Sequence, residues 1–132
     1  MAGSDIVLPA ISEPLLNARA RTEPGNAAGQ WLCAWCLNHV ANDCDRFAYE
    51  GKDEFTFSNL EGIRFAIITF SQTLGCRPAG PATLEHTWFP GHAWSYCLCD
   101  RCDQHLGWFY AGPRQFAGLI KARLVRAVYV RN

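Results

Sequence analysis

Four of the seven cysteines stand in two Cys-x-x-Cys pairs, Cys33/Cys36 and Cys99/Cys102, with 62 residues between them. A Cys-x-x-Cys turn places two sulfurs on one side of a tetrahedron, so two such turns complete the shell of a structural zinc ion. A closed four-sulfur shell has no open position for water; it should fold the chain and do no chemistry. Its contribution can be large, since structural zinc sites have apparent binding energies on the order of 10 kcal/mol or more. His39 and His105 each lie three residues after a pair, and Cys97 lies two before Cys99. They are rival ligands, ranked below the two matched pairs. A redox dithiol is the other reading of Cys-x-x-Cys, but it calls for a strand-to-helix junction that the pattern does not offer. Cys44 and Cys76 are expected to behave as small buried apolar residues.

The second concentration of chemistry is the stretch 85–110, EHTWFPGHAWSYCLCDRCDQHLGWFY, which holds three of the five tryptophans and three of the four histidines. Phe-Pro-Gly at 89–91 and Asp100-Arg101 are turn signals that fold it back on itself. Trp88 and Trp94 then flank one turn and Trp108 returns from the next strand, which can build a pocket with indole walls. Three separate core tryptophans fit the composition equally well.

The elements that would position these residues read as strands. Residues 63–71 (IRFAIITFS) are rich in β-branched and aromatic types and form the strongest strand signal. Residues 46–49 and 55–57, separated by Glu50-Gly51-Lys52-Asp53, suggest a hairpin. Residues 86–89, 94–98 and 106–110 suggest further short strands, 75–81 a Pro/Gly loop, and Asn59 and Gly62 another loop. Residues 116–130 fit a helix stripe or a strand face, and periodicity does not decide. Residues 1–30 read as a loose arm ahead of a single domain over 31–132. Many short strands with turns between them predict an all-β domain.

The formal net charge is zero, from 12 basic and 12 acidic residues, so no basic excess points to nucleic acid. No apolar run is long enough for a membrane span, and no basic-then-apolar leader opens the chain. An odd number of cysteines in metal-type pairs suits a reducing compartment, hence a cytoplasmic location.

With these motifs in place, the chain resembles cereblon's thalidomide-binding domain (the CULT domain), and more closely the small bacterial homologues made of that domain alone. The resemblance covers residues 31–130. It is carried by Cys33-x-x-Cys36, the run Glu85-His86-Thr87-Trp88-Phe89-Pro90-Gly91-His92-Ala93-Trp94, Cys99-x-x-Cys102 and Gly107-Trp108-Phe109-Tyr110. It implies a β-tent: two antiparallel sheets at a steep angle, pinned at one end by zinc, with 116–124 as a strand. It also implies an aromatic cage in which Trp88, Trp94 and Trp108 are walls and Tyr110 closes the base. His86 and the backbone around Trp88 would face the ligand's imide, with Asn59 on a loop at the mouth. Some relatives carry Phe where Tyr110 stands.

The expected ligand is a cyclic imide such as glutarimide, a thalidomide-type drug, an imide at a damaged protein C-terminus, or a uracil-like ring. Indole faces can cover the methylene side of such a ring, and a backbone carbonyl flanked by donors suits its C=O, N–H, C=O edge. In cereblon the domain serves a ubiquitin ligase through a Lon-like domain; about 30 residues precede Trp31 here, so a ligase adaptor is not an expected partner. One rival is a cage for methylated ammonium groups, helped by Glu85. A zinc-pinned patch that docks a protein is another. An enzyme is not expected: the zinc shell is full, and His86 and His92 have no visible partner for general-base work.

Overall fold

The computed structural model describes residues 24–130. The expected arm over 1–30 falls outside these residues as far as 23; beyond it, α1 (Pro24–Gly29) is a short helix and Gln30 already opens the first strand. Among the described residues, nine strands form two antiparallel sheets. β1 (Gln30–Cys33) and β2 (His39–Asn42) form a small sheet with β9 (Leu124–Arg126), in the order β9-β1-β2. The larger sheet contains β3 (Glu54–Ser58), β4 (Arg64–Phe70), β5 (Cys76–Thr83), β6 (Ala93–Cys99), β7 (His105–Ala111) and β8 (Gln115–Ile120). Its order is β3-β4-β8-β7-β6-β5. The all-β expectation with two antiparallel sheets holds.

Both faces of the large sheet are apolar, which explains the unbroken run in β4. Ile68, Phe70, Leu106, Ala117 and Leu119 point one way and pack with Trp31, Val40, Ala41 and Leu124 of the small sheet. Ile67, Trp108, Tyr110, Phe116 and Ile120 point the other way, into a cluster completed by Tyr49 and Phe89 from the loops. The period-two alternation of strand side chains makes this division. In β7 it is broken once: Cys97 pairs with Gly107 and Leu98 with His105, a bulge at Leu106. The bulge turns His105 to the same side as Trp108.

Several local expectations change. The residues at 46–49 do not form a hairpin with 55–57; β3 pairs with β4, and Arg46 and Tyr49 make only single bridges. The loop at 75–81 is the edge strand β5, where Pro78 and Pro81 are tolerated because one side of an edge strand needs no ladder donors. The strand at 86–89 is a loop, since His86 has φ +57° and cannot continue an extended chain. The ambiguity over 116–130 resolves as β8, a 3-10 turn at Lys121–Arg123, and β9. The chain therefore crosses from the large sheet to the small one. Cys44 is exposed and Cys76 half-buried, so neither is the fully buried thiol expected.

Candidate functional site

The two cysteine pairs have the same backbone frame. Cys33 ends β1; its N–H donates to Asn38 O at 2.8 Å and its carbonyl accepts from Leu37 N–H at 2.8 Å. Cys99 ends β6; its N–H donates to Gln104 O at 2.9 Å and its carbonyl accepts from Asp103 N–H at 2.9 Å. Each turn closes through a left-handed residue, Leu37 at φ +64° and Asp103 at φ +66°. That conformation costs an L-residue roughly 1–2 kcal/mol, which the closed turn must offset.

The four sulfurs of Cys33, Cys36, Cys99 and Cys102 lie within 4.8 Å of one another. Across the pairs, Cys33 Sγ is 3.6 Å from Cys102 Sγ, and Cys36 Sγ is 3.5 Å from Cys99 Sγ. A tetrahedral ion with sulfur bonds near 2.3 Å sets its ligands about 3.8 Å apart, so the donor set can hold a metal of zinc's size. Asn38 Nδ2 reaches Cys99 Sγ at 3.6 Å and donates to Gly75 O at 3.0 Å, fixing the cluster from outside. Burial pushes the Cys33 thiol up to about 11 and raises Cys36 as well. At Cys99 burial also raises the pKa but is outweighed by backbone N–H groups at Arg101 and Cys102, leaving it below the ordinary thiol value. The rival ligands stand apart: His39 Nε2 bonds Asn42 Oδ1 at 2.7 Å, and Cys97 is buried in the core.

On the other face of the large sheet lies a cavity of about 670 Å³. Trp88, Trp94, Trp108, Tyr110, His86 and Asn59 all line it. Trp88 stacks on Phe57 with centroids 4.9 Å apart, and meets Trp108 at a right-angle contact of 4.9 Å and 76°. Trp94 touches Tyr96 and, among the described residues, neither of the other two indoles, so it stands as a separate wall. Its indole N–H donates to Glu85 O at 2.7 Å and ties β6 to the loop that carries His86 and Trp88.

That loop presents its backbone to the cavity. The kink at His86 leaves the His86 carbonyl and the Trp88 N–H without hydrogen-bond partners among the described residues. The indole N–H groups of Trp88 and Trp108 and the Tyr110 hydroxyl are likewise unpartnered there. Asn59 Oδ1 accepts from Glu61 N–H at 3.0 Å and Ile63 N–H at 2.9 Å, which leaves its amide NH₂ as the free end.

Sequence reasoning did not assign Tyr96 or His105 to the cavity. Tyr96 was within reach, because it lies two residues beyond Trp94 on one strand face. His105 was not: simple alternation would put it opposite Trp108, and only the bulge brings the rings within 5.1 Å. Its Nε2–H donates to Gly107 O at 2.8 Å and Nδ1 accepts from Arg123 at 3.3 Å. Burial and the Arg123 charge lower its pKa, so the ring is neutral. His92 is buried away from the cavity, with Nδ1 on Pro90 O at 3.0 Å and Nε2 against Arg114 N–H at 3.4 Å.

Fold and site together define an all-β domain with a four-cysteine cluster able to hold a metal ion on one sheet face and an aromatic cavity on the other. No family model matches the chain. Cereblon from Drosophila willistoni is 40% identical over 98 residues, covering 67% of this chain and 16% of that protein. Chicken cereblon (Gallus gallus) is 29% identical over 75 residues, covering 52% of this chain and 17% of that one. The crystal structure of the Mis18 Yippee-like domain superposes with a TM-score of 0.50 at 15% identity, over 74% of this chain and 92% of that one, which places the fold. The chain is a cereblon-like domain, and it spans about a sixth of the length of the cereblons it matches.

Proposed function

We propose that this domain is a binding module, not an enzyme, that captures six-membered cyclic imides in a cage of Trp88, Trp94 and Trp108, with zinc in the four-sulfur centre. Its ligands would include glutarimide, thalidomide-type drugs, C-terminal cyclic imides on damaged proteins, and uracil-like rings. The observation that carries the reading is the pair of free backbone groups beside the indoles. An imide N–H can donate to the His86 carbonyl while a flanking imide carbonyl accepts from Trp88 N–H. Asn59 NH₂ would reach a carbonyl outside the ring, a reading supported by its position in the cavity lining. Trp108 and Tyr110 close the deep end, and the similarity to cereblon agrees with this assignment.

The test is a titration of the zinc-loaded protein with glutarimide and N-methylglutarimide, followed by tryptophan fluorescence. Glutarimide should change the signal saturably and the N-methyl compound should not, because methylation removes the donor and adds bulk at the backbone carbonyl. No response to either, from a folded zinc-loaded protein, overturns the imide reading. A response to a trimethylammonium compound alone would favour the cation cage, for which Glu61, rather than Glu85, lines the cavity.

A further inference from the structure

We propose that β3 is an interface between two copies of this chain, paired edge to edge and antiparallel about a two-fold axis at Thr56. The large sheet has two outer strands, β3 and β5, and the sequence treats them oppositely. In β5, Gly75 stands opposite Asp100, whose N–H donates to Gly75 O at 2.8 Å. Odd positions of β5 therefore bond inward, and Cys76 and Pro78 turn their backbone outward. Proline at 78 deletes a donor from the free side, and the register breaks beyond Ala79. An outer strand so interrupted is a poor template for another strand. β3 carries none of these devices. Asp53 O accepts from Thr69 N–H at 3.0 Å, and Asn59 N–H donates to Ile63 O at 2.9 Å. The register between those bonds is unbroken, so Phe55 and Phe57 bond to β4 while Glu54, Thr56 and Ser58 point N–H and C=O outward. Among the described residues, no backbone group pairs with them.

The strand sequence EFTFS is self-complementary in this arrangement. With Thr56 opposite Thr56 of the second copy, Glu54 faces Ser58, and every outward N–H and C=O of the strand finds a partner. No like charges stand opposite each other, whereas an axis at Glu54 would oppose two carboxylates. Phe55 then lies across from Phe57 of the second copy, at the close spacing of a non-hydrogen-bonded pair. Both rings are half-buried and stack on each other at 5.6 Å and 11°, so the pairing continues an aromatic strip already present in one copy. The contact is isologous and uses up the open edge. With β5 closed by proline, assembly stops at two copies.

Sedimentation equilibrium of the zinc-loaded chain over a range of concentrations tests this, beside two variants. The parent should show a reversible monomer–dimer equilibrium and no larger species. Thr56→Pro removes an N–H that β4 does not use, as Pro78 does on β5. Its dimer dissociation constant should rise about tenfold or more, the effect of losing the central hydrogen bonds. Its melting temperature should match the parent's at a dilution where both are monomeric, which verifies folding. Thr56→Lys keeps the N–H but sets two ammonium groups opposite each other. Its dimer should weaken at low salt and recover at high salt, a response that general loss of structure would not give. A parent that stays monomeric at millimolar concentration overturns the proposal, even if an added extended peptide pairs with β3. So does a dimer that both variants leave intact, because the contact then lies elsewhere on the molecule.

Discussion

The indole of Trp94 has two roles that can be separated by one atom. Its face is a wall of the cavity, and its N–H holds Glu85 O and hence the turn that aims the His86 carbonyl. Trp94→Phe keeps an aromatic face but releases the turn. Imide affinity should fall about five- to tenfold, the worth of one hydrogen bond, with little change in thermal stability because Trp94 is only half-buried. Binding calorimetry beside a melting curve distinguishes this from general unfolding. His86 shows why such positions are hard to read from sequence: its value lies in a backbone angle that no side-chain pattern announces. The cysteine pairs are the opposite case, because the spacing itself encodes the geometry of the turn.

Among the elements, β7 and β8 bear the closest backbone approach. A Cβ on Gly107 would fall within contact distance of the Gly118 carbonyl oxygen and 2.8 Å from Leu119 Cα, both backbone atoms that cannot swing aside. A Cβ on Gly118 would meet Ile67 Cδ1 at 2.9 Å and Tyr110 Cε2 at 3.3 Å, side-chain atoms of which the first can move. Gly107→Ala should therefore cost about 3 kcal/mol and Gly118→Ala about 1 kcal/mol, the upper and lower ends of overpacking, as measured by chemical denaturation. Gly118→Ala should also weaken ligand binding by pressing on Tyr110. The strong β4 signal and the turns near Pro90 and Asp100 were legible because β-branched runs and turn residues act locally. The edge strand β5 was not, because proline is excluded from a strand only where a neighbour needs its N–H. The bulge at Leu106 was invisible for a related reason: it depends on how two strands pair, which neither strand encodes alone.

For the molecule as a whole, the four clustered cysteines lie at the ends of β1 and β6 and in the turns that follow, and most of the large sheet is strung between them in sequence. Without the ion, four sulfurs would sit together, with Cys33 and Cys36 held as thiols by burial. Loading must expel their protons, so apparent metal affinity should rise with pH, and the ion should be lost on acidification. Chelation at neutral pH should unfold the domain or lower its melting temperature by well over 10 °C, with proton release on reloading measurable in a weakly buffered titration. The right-angle contact of Trp88 and Trp108 also has an optical consequence. Two indoles at 4.9 Å are near enough for their transition dipoles to couple, so the cavity carries its own exciton signature in the ultraviolet circular dichroism. Trp35, 54% exposed between Cys33 and Cys36, lies instead beside the four-cysteine cluster. The chain thus has a dichroic reporter of its own: an occupant of the cavity would alter the couplet, and metal loss from the cysteine cluster would alter it only by disturbing the cavity itself.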